Sequence, residues 1–489
     1  MTEMLSVGLD VGTTTSQMIL SRLWAENKAS PFAVPEVTIT QRQVIFRGPV
    51  RFTPLQNEQL VDADALRELV AEDYRAAGIT PEQVDTGAII ITGETSRKEN
   101  AAAVLKSLSA FAGNFVVATA GPDLESTLAA RGAGATEYSE TTGETVLHMD
   151  IGGGTANLAL IEQGRITRTG CLNVGGRLLK RDGDGIVTYL SPVLTGLTDI
   201  AVGQRPTEQQ IAALTGLLTQ GLAEAAGLVP ETPLLRRLET GEVQTRWEIP
   251  RGALTLSFSG GVACCIRDAQ PANAFGDIGP ELGQAIRDSV LCQGKVFLPE
   301  EAIRATVIGA GCHSVTLSGS TVFIRDVALP VQNLQVAVFS RQEQDGIELS
   351  ARIRRALAEE DRVLALPGIS SPDYSRVQQL ARQIADGVGS RPVYVCLEED
   401  MAKALGHSLA LLLPGRPILC IDRIRLREGS YLDIGSPVGP ALPVVVKTLI
   451  LQTAAERNFY ETENDTVGKN LHIQGYQGST GQGQRGEDR

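Results

Sequence analysis

Two glycine-threonine turns, 140 residues apart, constrain this chain more than any other feature. The first lies in Leu5-Ser6-Val7-Gly8-Leu9-Asp10-Val11-Gly12-Thr13-Thr14-Thr15-Ser16, the second in Val146-Leu147-His148-Met149-Asp150-Ile151-Gly152-Gly153-Gly154-Thr155-Ala156-Asn157. Each reads as an apolar strand ending near an aspartate, then a tight turn, then a returning apolar strand. The returning strands hold Gln17-Met18-Ile19-Leu20 and Leu158-Ala159-Leu160-Ile161. One such turn is an ordinary β-hairpin. Two of them point to a duplicated unit that grips one ligand from both sides.

That ligand carries phosphate. Gly12, Gly152, Gly153 and Gly154 let backbone N–H groups approach an anion with no Cβ in the way, and consecutive turn amides form an anion nest. Thr13, Thr14 and Thr155 add hydroxyl donors. Asp10 and Asp150 would repel a bare phosphate. They fit beside Mg²⁺, which keeps most of its waters and is held by one or two carboxylates together with substrate phosphates. No G-x-x-x-x-G-K-[ST] sequence occurs, so this is not a Walker A loop.

With 489 residues the chain has room for two to four domains. Hydrophobic residues make up 43% and aromatics only 4%, which predicts an aliphatic core and α/β layering. The net charge of −13 argues against a nucleic-acid partner. No secretory signal and no apolar run long enough to span a membrane stand out. The seven cysteines contain no C-x-x-C pair, and their apolar flanks predict reduced, buried thiols in a cytosolic protein. His148 and His313 read as satisfied core histidines rather than as metal ligands.

Along the first half, strand-like pieces at 36–40 and 43–46 follow the first hairpin. An amphipathic helix covers 61–77, then come a strand at 87–92 and another at 115–118. A helix from Leu124 to about Gly132 ends in small residues. The second half repeats the layout after its hairpin, with helices at about 207–227 and 231–239. The strand Ala253–Phe258 runs into Ser259-Gly260-Gly261, where an adenosine could lie against backbone; a tight strand-to-helix turn is the plainer reading. A second small-residue helix is expected from Glu300 to Gly311. Two such helices can pack closely where the halves meet, although glycine-capped helix ends would look the same in sequence. Six strand candidates with helices between them at 314–455 predict a further α/β domain without a catalytic constellation. The Gly-, Gln- and Ser-rich end, 456–489, reads as a disordered tail.

The order is therefore phosphate turn, small-residue helix, phosphate turn, Ser-Gly-Gly turn, small-residue helix. Over about residues 1–313 it resembles the actin–Hsp70–sugar kinase ATPase superfamily. Residues 91–100 (Ile-Thr-Gly-Glu-Thr-Ser-Arg-Lys-Glu-Asn), 119–126 (Thr-Ala-Gly-Pro-Asp-Leu-Glu-Ser), 305–311 (Ala-Thr-Val-Ile-Gly-Ala-Gly) and 443–449 (Pro-Val-Val-Val-Lys-Thr-Leu) are similar to the ethanolamine ammonia-lyase reactivating factors of the EutA family. The resemblance covers residues 1 to about 455. It implies duplicated RNase H-like, actin-like ATPase domains at 1–145 and 146–313, with an additional C-terminal α/β domain at 314–455. It implies ATP and Mg²⁺ as ligands, and ethanolamine ammonia-lyase as the partner. The implied work is ATP-dependent release of damaged cobalamin, so that intact adenosylcobalamin can enter the lyase. The expected place is the cytosol, in association with a bacterial microcompartment. Contact between cobalamin and this chain is left open.

Two other functions share these motifs. A small-molecule kinase of the same superfamily needs an acid near the γ-phosphate, and Glu94, Asp123 and Glu125 are available. Each of the three equally suits capping of a helix N-terminus. Glu125 is the preferred residue to position an attacking water. A scaffold that binds nucleotide without turnover is the remaining alternative. Taken together, the expected catalytic set is Asp10, Asp150 and Glu125. Mg²⁺ is assigned to Asp10 and Asp150. The nucleotide is assigned to Gly12, Thr13, Thr14, Gly152, Gly153, Gly154, Thr155, Gly260 and Gly261.

Overall fold

Leu9, Val11, Ile89 and Ile91 sit side by side at the centre of the first sheet, all buried, and their strands read as nearly unbroken apolar runs because both faces are covered. The protein is described by a computed structural model covering residues 2–448 apart from 13–14, 28–36, 58–59, 93–103, 105–107, 109–115, 120–121, 241–253, 314–315, 319–320, 436 and 438–441. Thr13, Thr14, Glu94 and the tail 456–489 lie outside the described residues.

In the first half, β1 (Thr2–Val11), β2 (Thr15–Asn27) and β3 (Val37–Arg47) form an antiparallel meander, and the short β4 (Arg51–Phe52) pairs with the start of β2. Helix α1 (Ala63–Ala77) starts where the Asp62 side chain accepts from the Ala65 amide, and it ends at Gly78 with φ +70°. β5 (Thr86–Ile91) and β6 (Val116–Thr119) then add in parallel beyond β1, so the order is β3-β2-β1-β5-β6. Helices α2 (Pro122–Gly132) and α3 (Ala135–Thr142) follow.

The second half repeats this plan. Its meander is β7 (Thr145–Ile151), β8 (Ala156–Glu162) and β9 (Arg165–Leu172). Helix α4 (Glu208–Ala225), strand β10 (Leu254–Ser259), helices α5 (Gly261–Arg267) and α6 (Gly279–Asp288), strand β11 (Lys295–Phe297) and helix α7 (Ala305–His313) follow. The order β9-β8-β7-β10-β11 matches the first sheet strand for strand. Three antiparallel strands followed by two parallel ones, made twice, are the duplicated RNase H-like halves of the actin-like ATPase fold.

A third sheet holds β12 (Thr316–Leu317), β13 (Phe323–Arg325), β14 (Val331–Val338), β15 (Arg362–Leu366), β16 (Val393–Leu397), β17 (Ile418–Ile421), β18 (Ser430–Ile434) and β19 (Pro443–Thr448), in the order β12-β19-β18-β14-β15-β16-β17-β13. Its parallel centre packs one face on α8 (Leu349–Ala356), α9 (Tyr374–Val388) and α10 (Ala402–Leu412) through Ile353, Leu380, Leu405 and their neighbours.

Several elements differ from their sequence expectation. The two expected pieces are, from Val37 on, one strand, bulged where Leu20/Ser21 and Trp24/Ala25 shift register, because β2 runs on to Asn27 and pairs along its length; residue 36 lies outside the described residues. The expected helix 300–311 is a short 3₁₀ turn, Ala302–Arg304, followed by α7. β18 was missed, because Ser430-Tyr431-Leu432-Asp433-Ile434 carries a buried aspartate that only the finished sheet covers.

The two small-residue helices do cross, and they do so backbone to backbone. A Cβ on Gly132 would overlap the carbonyl oxygen of Ala305, and one on Gly309 would overlap that of Leu128. Gly309→Ala should therefore destabilise the protein by about 2 kcal/mol or more, the scale of core overpacking. Gly216→Ala, at an exposed site in α4 with open space around it, should stabilise by about 0.5–1 kcal/mol. Urea midpoints measure both; equal midpoints for the two variants would contradict the close crossing.

Candidate nucleotide cleft

Asp10 ends up opposite Gln17 across the first hairpin, and Asp150 opposite Asn157 across the second. The turns themselves superpose in their bonding: the Gly12 amide donates to the Thr15 carbonyl at 2.9 Å, and the Gly152 amide to the Thr155 carbonyl at 3.0 Å. Both hairpins open onto one cavity of about 750 Å³ lined by residues of both halves.

The cavity floor is polar and buried. Asp10 accepts from Thr92 Oγ1 at 2.9 Å. Its carboxyl is pushed up to about 7, chiefly by burial with repulsion from Asp150 adding, while hydrogen bonds from Thr92 and Gln17 oppose the shift. Asp150 accepts from Ser259 Oγ, and from Thr306 Oγ1 at 3.2 Å. Burial raises its carboxyl as well, against those two hydrogen bonds. Glu125, on the first turn and a half of α2, is buried and accepts from Asn157 Nδ2 at 2.8 Å. Asp123 instead faces outward and accepts from Thr169 Oγ1, so it takes no part in the floor.

The donor set fits a hydrated Mg²⁺. Burial raises the proton affinity of both carboxylates, and the charge of Asp150 adds to it at Asp10; a cation beside them would relieve that cost. Gln17 Oε1 and Asn157 Oδ1 are buried oxygens on cavity-lining side chains without a hydrogen-bond partner among the described residues. Such oxygens suit the waters of a metal ion. No group of three or more His, Cys, Asp or Glu able to cage a metal occurs among the described residues.

Around this floor, Gly152, Gly153, Gly154 and Thr155 line the cavity, as do Gly12, Gly260 and Gly261. The structure separates the two glycines after β10. Gly260 has φ +85°, and a Cβ there would overlap the Ile151 carbonyl, so its glycine is demanded by the backbone whatever is bound. A Cβ on Gly261 would stand in open space. Gly261 is thus the position at which ligand sterics can be probed.

Sequence reasoning missed Thr92, Gln17, Asn157, Arg177 and Phe52. A signal existed for two of them: Gln17 and Asn157 each stand seven residues after the motif aspartate, polar positions at the start of apolar strands. Arg177 bonds Asp277 at 3.3 Å and lies 5.2 Å from the ring centroid of Phe52, joining the second half to the first at the cavity. His148 is buried, but its neighbours are hydroxyls: Nδ1 lies 3.0 Å from Ser257 Oγ and Nε2 2.9 Å from Ser259 Oγ. Burial pushes its imidazolium down to about 3, so the ring is neutral. None of the seven cysteines forms a disulfide, and Cys264 and Cys265 line the cavity. No helix among the described residues is long and apolar enough to cross a membrane.

The family model of "Ethanolamine utilisation protein EutA" matches residues 2–452. The chain belongs to the EutA family. It is 41% identical over 470 residues to the ethanolamine ammonia-lyase reactivase EutA of Salmonella typhimurium, covering 91% of this chain and 98% of that protein. It is 40% identical to the Escherichia coli reactivase of the same name, with the same coverage. Among solved structures it is similar to an Aquifex aeolicus PPX-GPPA enzyme, at 12% identity and a TM-score of 0.40, covering 63% of this chain and 99% of that one. It is also similar to EutJ of Carboxydothermus hydrogenoformans, at 18% identity and a TM-score of 0.32, covering 63% and 89%. At such scores the strand order, and not these likenesses, carries the fold.

Two outcomes follow from the cleft. Below about pH 7 a proton occupies Asp10 and a cation must displace it, so Mg²⁺-dependent ADP affinity should rise between about pH 6 and 8 and level off above. Asp10→Asn should flatten that profile; calorimetry giving equal Mg²⁺ dependence at both pH values in the parent protein would refute the assignment. Gly261→Val should leave the melting temperature near the parental value and weaken ADP binding by about tenfold. Unchanged affinity would remove Gly261 from the ligand surface.

Proposed function

We propose that this EutA-family chain is an ATP-driven reactivase of ethanolamine ammonia-lyase, working in the cytosol in association with a bacterial microcompartment. The observation that supports this most is the convergence of Asp10 and Asp150, from matched hairpins, on one cavity between two halves. The relatives' reactivase name supplies the partner. On this reading 1–145 and 146–313 are the moving ATPase domains, and 314–455 is a third domain.

The residues take the following roles. Amides of Gly12, Thr13, Thr14, Gly152, Gly153, Gly154 and Thr155 hold the phosphates. Gly260 and Gly261 lie against the adenosine. Asp10 and Asp150 would hold Mg²⁺, with the Gln17 and Asn157 oxygens as acceptors for its waters; the ion would supply charge neutralisation at the phosphates. Glu125, held toward the cavity by Asn157, orients the attacking water. Because ATP and ADP contact the two halves differently, each favours a different separation of the halves. Opening and closing is then passed to the bound lyase, whose grip on spent cobalamin is loosened so that adenosylcobalamin can replace it.

Cobalamin-blocked lyase should regain turnover when given this protein, ATP, Mg²⁺ and fresh adenosylcobalamin. Asp150→Asn should fail to rescue it, and Glu125→Gln should lose about 100-fold in ATP hydrolysis. ATP should be hydrolysed without any small-molecule acceptor. Equal lyase recovery with and without this protein would refute the reactivase, and phosphorylation of a small alcohol in its place would establish a kinase.

A further inference from the structure

His148 stands two residues before Asp150 on β7, and Ser257 and Ser259 stand beside it on the parallel strand β10, with Ser257 level with His148 and Ser259 level with Asp150. Side chains two apart on a strand share a face. The four groups therefore form a line on one face of the sheet, Ser257–His148–Ser259–Asp150, closed from solvent along its length except at the carboxylate.

Counting protons gives this line a direction. A serine hydroxyl has one proton, and a neutral imidazole has one N–H and one bare nitrogen. Ser257 Oγ is fully buried, and His148 Nδ1 is its sole hydrogen-bond partner among the described residues. If Nδ1 carried the ring proton, the Ser257 proton would have no acceptor in a site closed to water, a cost of about 1–3 kcal/mol. With Nδ1 bare, every proton is used: Ser257 O–H donates to Nδ1, Nε2–H donates to Ser259 Oγ, and Ser259 O–H donates to Asp150 Oδ1.

We propose that His148 is a positioning residue of the nucleotide cleft: locked as the Nε2–H tautomer by Ser257, it turns the Ser259 hydroxyl toward Asp150 and so fixes the carboxylate that faces the cavity. The proposal rests on the reading of Asp150 as a Mg²⁺-side carboxylate. Without the ring donor, Ser259 Oγ is free to rotate, and Asp150 keeps only the longer bond from Thr306 to hold its plane. The first half has no counterpart. Two residues before Asp10 stands Gly8, where the backbone of α7 packs against β1 and leaves no room for a side chain. The two aspartates are thus supported differently, and the duplication has diverged at this point.

Two measurements test this. In full-length protein labelled with ¹⁵N-histidine, loss of one ring signal set in His148→Gln assigns His148 among the four histidines. At neutral pH its Nε2 should be protonated and its Nδ1 bare. A proton on Nδ1 overturns the proposal, whatever the variants do. Second, Ser259→Ala and His148→Phe should each raise the Mg²⁺ concentration for half-maximal ADP binding by about 10-fold or more, the usual cost of removing a ligand's supporting partner. High Mg²⁺ should overcome that loss, whereas general damage to the fold would persist at saturation. His148→Gln, whose amide can donate to Ser259, should recover most of the parental Mg²⁺ dependence. Mg²⁺-dependent ADP binding by the parent that neither substitution shifts overturns the His148 assignment alone. Complete absence of Mg²⁺-dependent ADP binding by the parent overturns the nucleotide reading and this assignment with it.

Discussion

The backbones of α2 and α7 meet with no side chain between them, and the position of every group in the cleft follows from that contact. Gly132 lies against Ala305 and Gly309 against Leu128, so the helices approach as closely as main chains allow. α7 also packs on β1, where Gly8 leaves room for it, and Ser6 Oγ donates to the Gly311 carbonyl at 2.6 Å. α2 in turn carries Glu125 to Asn157 on β8. Each helix thus touches both halves: the crossing itself is glycine and alanine, and packed side chains such as Ile19 against Val307 flank it.

The close seam brings two carboxylates together in a buried place. Asp10 is raised in part by the charge of Asp150, and each is held by hydroxyls from the end of its own half's fourth strand or the segment after it. Burying two carboxylates is costly, and on the proposed reading a cation and a phosphate chain bound together would offset that cost, because each cancels the charge the other lacks.

The halves are similar in topology and different in detail. The strand order repeats without change, and so do the turn hydrogen bonds and the polar residue seven places after each aspartate. Around Asp150, however, a histidine and two serines replace what is glycine and tightly packed helix around Asp10. Duplication accounts for the matched hairpins that face one cavity, and divergence for the different partners of the two aspartates.

Local signals are what the sequence by itself settled. The hairpins, their aspartates and glycines, and the small-residue helices are encoded within a dozen residues each, where backbone freedom and strand alternation leave a visible pattern. The same holds for the strand-helix alternation of the third region. Contacts between distant residues were decided only in the folded chain. Arg177 and Phe52 carry no motif, and Thr92 lies in one that does not show its partner; they reach the cavity because sheet register and the helix crossing bring them there. Gly260 lines the cavity as a ligand contact would, and the Ile151 carbonyl beside it requires glycine whatever is bound. His148 reads as a satisfied core histidine, which it is, but only the pairing of β7 with β10 shows that two serine hydroxyls satisfy it. Side-chain chemistry is written in the chain, but which groups share a buried site depends on which strands lie side by side, and that is fixed by packing over the whole molecule.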